Sequence, residues 1–207
     1  MNHLKNSIER GVAKQHWNVC FASRTEIEGI MSVQTSNLLS QKKEAGKKDL
    51  GQKGFLIHRA SNEELEELIS EEKNHIVLVA KEKDRVTGYV LAYDLTDWRR
   101  KKPEWDSTIV APEQIKELLG RGKTLYFRHI ARLSECKGTG SVLLARLLQI
   151  AESRSYDRII AEVLLKPIQN LASTRFVERF GFRAVGNVID KDPLIWNLYM
   201  KEMGGEL

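Results

Sequence analysis

The chain has 207 residues, 42% of them hydrophobic and 29% charged, the profile of one sizeable globular domain with a real core. It has no apolar run near the roughly 20 residues that a membrane helix needs. Its two cysteines, Cys20 and Cys136, form no CxxC pair, which argues against a disulfide framework or a cysteine zinc site. The net charge of +5 is concentrated in two basic runs, the lysines within 41–54 and WRRKK at 98–102. Such runs can hold nucleic acid, but interleaved aromatics and a helix-turn-helix pattern are both missing, so they read as solvated loops.

Residues 1–16 are a polar extension without the apolar segment of a secretory signal, and a reducing cytoplasm is the expected location. WNVCFA (17–22) reads as a first strand. Thr25 is the expected N-cap of a helix running to about Leu39, marked by Ile27, Ile30, Met31 and Leu38. A Lys/Gly-rich loop follows, and FLIHRA (55–60) is expected to be extended. Ser61 and Glu64 form a capping box that opens an amphipathic helix. HIVLVAKE and VTGYVLAYDL are two strands of a hairpin joined by KEKDR. Residues 96–123 are a polar insertion with one short helix, PEQIKELL, between Pro112 and Gly120.

The strand TLYFRHIA (124–131) comes next, and then LSECKGTGS leads into a helix with Leu143, Leu144, Leu147, Leu148, Ile150 and Ala151 on one broad face. RIIAEVLL (158–165) is a strand, Asn170 caps a helix that ends at Gly181, and RAVGNVI and LIWNLYM are the last strands. Helices and strands mix, with one β-α-β crossover. The expected class is therefore α/β or α+β around a mostly antiparallel sheet, in a single domain over 1–207.

Gly138 and Gly140 stand where a strand gives way to a helix. The first N–H groups of a helix have no intrahelical partner and carry partial positive charge, so anions bind there, and glycine lets a phosphate reach the amides. Lys137 and the hydroxyls of Thr139 and Ser141 are candidate extra donors. The pattern is neither a dinucleotide fingerprint, because Leu143 stands where a third glycine is needed, nor a Walker A loop.

HIARLSECKGTGSVLL and NLASTRFVERFGF together resemble the GNAT superfamily of N-acetyltransferases. That family has a strand, a [QR]-x-x-G-x-[GA] loop opening a helix, another strand, and then N-x-x-A-x(3)-Y-x(3)-G-F. The resemblance covers about residues 17–202. It implies a twisted, mostly antiparallel mixed sheet flanked by helices, with splayed fourth and fifth strands. It also implies acetyl-CoA as cosubstrate and transfer of its acetyl group to the amine of a small molecule or peptide by direct attack. The implied cosubstrate contacts are Ile130, Ala131 and Arg132 with His129 along the fourth strand, Lys137, Gly138, Thr139, Gly140 and Ser141 at the pyrophosphate, and Asn170 at the thioester. No metal is implied, and His3, His16, His58 and His75 show no metal-ligand spacing.

Two positions depart from the pattern. Glu135 stands where the family has Gln or Arg, and Val177 stands where many members have the tyrosine that protonates the leaving thiolate. His129 is the candidate general base, because its unperturbed pKa is near neutral. The alternative that these departures raise is a GNAT-fold acyl-CoA-binding protein without turnover, a sensor or scaffold. The acceptor and the oligomeric state, a homodimer included, are open in the sequence.

Overall fold

The hairpin forms the middle of one half of the sheet. β2 (His75–Glu82) and β3 (Arg85–Asp94) run antiparallel, with His75 opposite Tyr93 and Glu82 opposite Arg85. Residues 75–80 and 86–93 are buried without a break, because helices cover both faces of these strands. The computed structural model describes residues 17–41, 47–190 and 194–204. The polar extension 1–16 and residues 42–46 of the Lys-rich run lie outside the described residues.

The sheet has eight strands. In spatial order they are β1 (Asn18–Phe21), β2, β3, β5 (Thr124–Arg132), β6 (Arg158–Lys166), β8 (Ile195–Glu202), β7 (Arg183–Ile189) and β4 (Ile109–Val110). All neighbours are antiparallel except β5 and β6. These two are the fourth and fifth strands expected from the sequence, renumbered because the insertion contributes β4. One face packs α1 (Ile27–Asn37) and α3 (Asn62–Ser70) with the insertion, around Ile30, Leu65, Tyr89, Tyr93, Trp98 and Tyr126. The other packs α7 (Thr139–Ser153) and α8 (Leu171–Arg179), around Phe127, Leu143, Leu144, Leu147 and Val177. Each of those buried leucines contributes roughly 1.5–3 kcal/mol, an upper bound set by the unfolded reference.

Several local expectations are corrected. The first helix is capped by Ser23, not Thr25: Ser23 Oγ accepts from the Thr25 N–H, and Glu26 returns to the Ser23 N–H at 2.8 Å, which starts a 3₁₀ turn before α1. The Lys-rich loop contains α2 (Lys47–Lys53). FLIHRA joins no strand and makes only a single parallel bridge, Leu38 to Leu56. Ser61 caps α3 by accepting from the Glu64 N–H, but the Glu64 carboxylate turns inward to Tyr93 and Arg128 instead of closing the box. The insertion holds α4 (Leu95–Lys101), α5 (Trp105–Thr108) and α6 (Glu113–Leu119), with β4 added to the free edge of β7.

Candidate active site

One residue count in β5 creates the opening. Opposite β3, Ala92 faces Phe127 but Leu91 faces His129, so Arg128 is an extra residue, a β-bulge. Below the bulge, β5 pairs in parallel with β6 from Thr124–Arg158 to Phe127–Ala161. Above it that pairing stops, while β6 stays paired with β8 as far as Lys166. The two strands therefore part, and the β6-facing edge of β5 is left without a ladder partner from Arg128 to Arg132.

The bulge also re-aims side chains. Arg128 and His129, though consecutive, both reach the face that carries Tyr89 and Tyr93. Arg128 binds the Glu64 carboxylate, donates to the Tyr93 hydroxyl at 3.0 Å, and lies 5.2 Å from the Trp98 ring centre. His129 is buried, and its Nδ1 is 3.3 Å from the Tyr89 hydroxyl. Burial, helped by the charge of Arg128 and by His58, holds its pKa well below the usual histidine value.

Two cavities meet at this opening. The inner one, of about 500 Å³, is walled by Trp98 and Trp105 of the insertion and by Tyr126, His129, Glu162 and Asn170. Glu162 was not singled out in the sequence. It sits on β6 one residue beyond the last pair with β5, and its Oε1 accepts from Trp105 Nε1 at 2.6 Å. Burial raises its pKa above the ordinary carboxylate value, against the opposing effects of the Trp105 and Tyr126 hydrogen bonds and the Arg128 charge. Only contact across the fold could reveal it: a lone glutamate in an apolar strand shows which strand it is on, not what it faces.

The outer cavity, of about 1320 Å³, runs along Ile130, Ala131 and Arg132 to Gly138, Gly140 and Ser141. Gly138 caps α7 with φ of 95°, a left-handed conformation that favours glycine, and a Cβ there would lie 3.0 Å from the Trp17 ring. Gly138, Gly140 and Ser141, at the start of α7, all line this cavity. Arg132 donates to the Leu133 and Ser134 carbonyls and shapes the turn. Lys53 of the Lys-rich run, together with Arg175 and Arg179, which the sequence did not single out, adds positive charge to this cavity's lining.

Other expected residues take different places. Thr139 is fully buried and its hydroxyl donates to the Cys136 carbonyl at 3.0 Å, so that hydroxyl is not a free donor to a phosphate. Lys137 is exposed and lines neither cavity. Glu135 turns to Arg85 at 3.0 Å, and a bond from its own backbone N–H, followed by bonds from Ser134 and Arg85, holds its pKa down. Asn170 lines the inner cavity, but its side chain is committed on both sides. Oδ1 accepts from the Ser173 N–H, and Nδ2 donates to the Phe55 carbonyl at 3.0 Å. Val177 is buried and lines the inner cavity, and its neighbour Phe176 borders both cavities.

Comparison with known proteins gives a consistent result. Residues 49–182 match the family model described as the acetyltransferase (GNAT) family. No curated protein matches the chain by sequence. Among solved structures, YncA of Salmonella typhimurium, described with its cofactor acetyl-CoA, superposes with a TM-score of 0.61 at 16% identity, over 93% of this chain and 96% of that one. An N-acetyltransferase from Staphylococcus aureus gives 0.58 at 16% identity, over 91% and 99%. The PaiA N-acetyltransferase of Thermoplasma acidophilum in complex with coenzyme A gives 0.59 at 11% identity, over 90% and 99%. At these identities the likeness is one of fold.

Proposed function

The chain belongs to the GNAT acetyltransferase family, and on that footing we propose that it transfers acetyl from acetyl-CoA directly to a primary amine bound in the inner cavity. The observation that carries this reading is the unpaired edge of β5, which leads from the inner cavity along Ile130–Arg132 towards Gly138 and Gly140 at the start of α7. The extended pantetheine arm can pair with that edge as an added strand. The pyrophosphate then meets the N–H groups behind Gly138 and Gly140, with Arg175 and Arg179 supplying charge.

In the inner cavity the amine nitrogen attacks the thioester carbonyl carbon. A C–N bond forms, the C–S bond breaks, and CoA leaves as a thiolate. A backbone N–H of β5 near Ile130 or Ala131 steadies the developing charge on the carbonyl oxygen. Glu162, rather than His129, takes the proton from the incoming ammonium. Its pKa is moved upward, which makes it a better base near neutrality, whereas the His129 imidazole is weakened as a base and engaged with Tyr89. Val177 offers no proton, so the thiolate takes up, through water, the second proton that the attacking nitrogen sheds as the amide forms. Aromatic walls from Trp98, Trp105 and Tyr126 suit an amine carried on an apolar body.

The test is thiol release from acetyl-CoA by the purified chain against a panel of primary amines, alongside melting with CoA. The reading expects CoA to raise the melting temperature and at least one amine to be acetylated. CoA binding with no turnover on any amine would sink the catalytic part. No binding would sink the whole.

A further inference from the structure

Away from this opening, at the far end of β3 from the α7 loop, three ionisable side chains converge. Glu71 closes α3, His75 begins β2, and Asp97 lies in the first turn of α4. One ligand atom from each lies within 4.8 Å of the others. His75 is 1% exposed, and neither of its ring nitrogens has a hydrogen-bond partner in the structure. Leaving such a group unsatisfied in the interior costs about 1–3 kcal/mol. Its Nε2 looks toward both carboxylates, at 3.5 Å from Glu71 Oε2 and 3.7 Å from Asp97 Oδ2.

Those distances decide between two accounts. A charge-assisted hydrogen bond is about 2.7–2.9 Å long, and a single N–H cannot be aligned with two carboxylates at once. Ligand atoms around a tetrahedral zinc with bonds near 2.0–2.1 Å stand about 3.4 Å apart. Both spacings from Nε2 are long for hydrogen bonds and close to those of a ligand shell, and the two carboxylate oxygens lie within 4.8 Å of each other. We propose that Glu71, His75 and Asp97 form a structural site for a divalent transition-metal ion, zinc in particular, which ties α3, β2 and the insertion helix α4 together.

The chemistry of the donors selects the ion. Calcium takes six to eight oxygens and magnesium holds on to its waters, whereas an imidazole nitrogen with two carboxylate oxygens suits zinc or its neighbours. Arg100 binds Asp97 Oδ1 and leaves Oδ2 turned to His75. Glu71, 49% exposed in its side chain, is the side from which an ion enters. Trp98 follows Asp97 in sequence and walls the inner cavity, so an ion here anchors the helix that shapes the acceptor side.

The experiment uses the full chain, stripped with chelator and then dialysed against zinc, with metal content, calorimetry and melting as readouts. Glu71→Gln is the main variant, because its exposed side chain can be changed without opening the core; Asp97→Asn and His75→Asn follow where they fold. The proposal expects one tightly held zinc per chain, a rise in melting temperature with zinc, and binding at least about tenfold weaker in Glu71→Gln. Cobalt in place of zinc should give the strong visible absorption of a four-coordinate site, lost in the same variant. No stoichiometric zinc, or zinc held equally by wild type and Glu71→Gln, overturns it.

Discussion

Glu162→Gln separates the role of Glu162 as a base from any role in the scaffold. Glutamine keeps an oxygen where Trp105 Nε1 donates at 2.6 Å, so the wall of the cavity should hold its shape. What it loses is the ability to accept a proton. General-base catalysis contributes about 10²–10⁴ in rate, or roughly 3–5 kcal/mol. We expect kcat to fall about 100-fold near pH 7, with the affinity for CoA unchanged, because the proposed CoA contacts lie on β5, α7 and α8 and not on β6. The deficit should shrink as pH approaches about 10, where an alkyl amine gives up its own proton. The wild-type rate should rise with pH through an ionisation above the usual carboxylate value, and that step should vanish in the variant. Stability moves the opposite way. A carboxyl whose pKa is raised by folding loses stability as pH rises from its unfolded value through its folded one. Glu162→Gln should therefore melt at the same or a higher temperature at pH 8. The assay is thiol release from acetyl-CoA between pH 6 and 10. A rate within about twofold of wild type at every pH refutes the assignment; loss of the pH step in His129→Gln instead would return the base to His129.

Other expectations follow from the same geometry. Trp105→Phe removes the donor to Glu162, so the ionised carboxylate is less favoured and the rate–pH curve should move to higher pH, as read in the same assay. Gly138→Ala forces a side chain into φ of 95° against Trp17, at about 1–2 kcal/mol for the backbone alone. It should lower the melting temperature by several degrees and weaken CoA binding in calorimetry. For Glu26, burial acts to raise the pKa, but bonds to Ser23, Lys81 and Thr25 outweigh it and hold the value at about 2. The stability it lends is present above its unfolded value and is lost as pH falls from about 4.5 through about 2. Glu26→Gln should cost about 1 kcal/mol in urea melts at pH 7, with the difference shrinking below about pH 4.5 and closing only below about pH 2.

What the sequence disclosed and what it hid divide along physical lines. The hairpin, the Ser61 cap and the glycine at the start of α7 are local signals, carried by alternation, by a side chain that bonds three residues on, and by a backbone angle. Ser23 and Thr25 compete for the same cap, and only geometry shows that Ser23 takes it. FLIHRA is apolar enough for a strand, yet its backbone finds one bridge, and Phe55 and Leu56 fill gaps beneath α2 and α1 instead. The insertion looked polar because its buried residues, Trp98, Trp105, Ile109 and Leu119, are widely spaced among charges. Glu162, Arg175, Arg179 and the Glu71–His75–Asp97 group draw their meaning from neighbours far away in the chain, which no local pattern records.

The extra residue at Arg128 has a consequence for how freely this architecture can vary. A cleft held open by a miscount between two strands is written in peptide units, and peptide units are the same whatever side chains they bear. Nearly every letter along such a strand can then drift while the gap stays, as long as the count is kept. Deleting Arg128 would do what few substitutions could: Phe127 and His129 would follow the strand's ordinary alternation on the faces they already hold, and the pairing of β5 with β6 could run on past Phe127. Chains that share 11–16% of their residues with this one, and still superpose over most of its length, are what a form stored in arithmetic rather than in letters would leave behind.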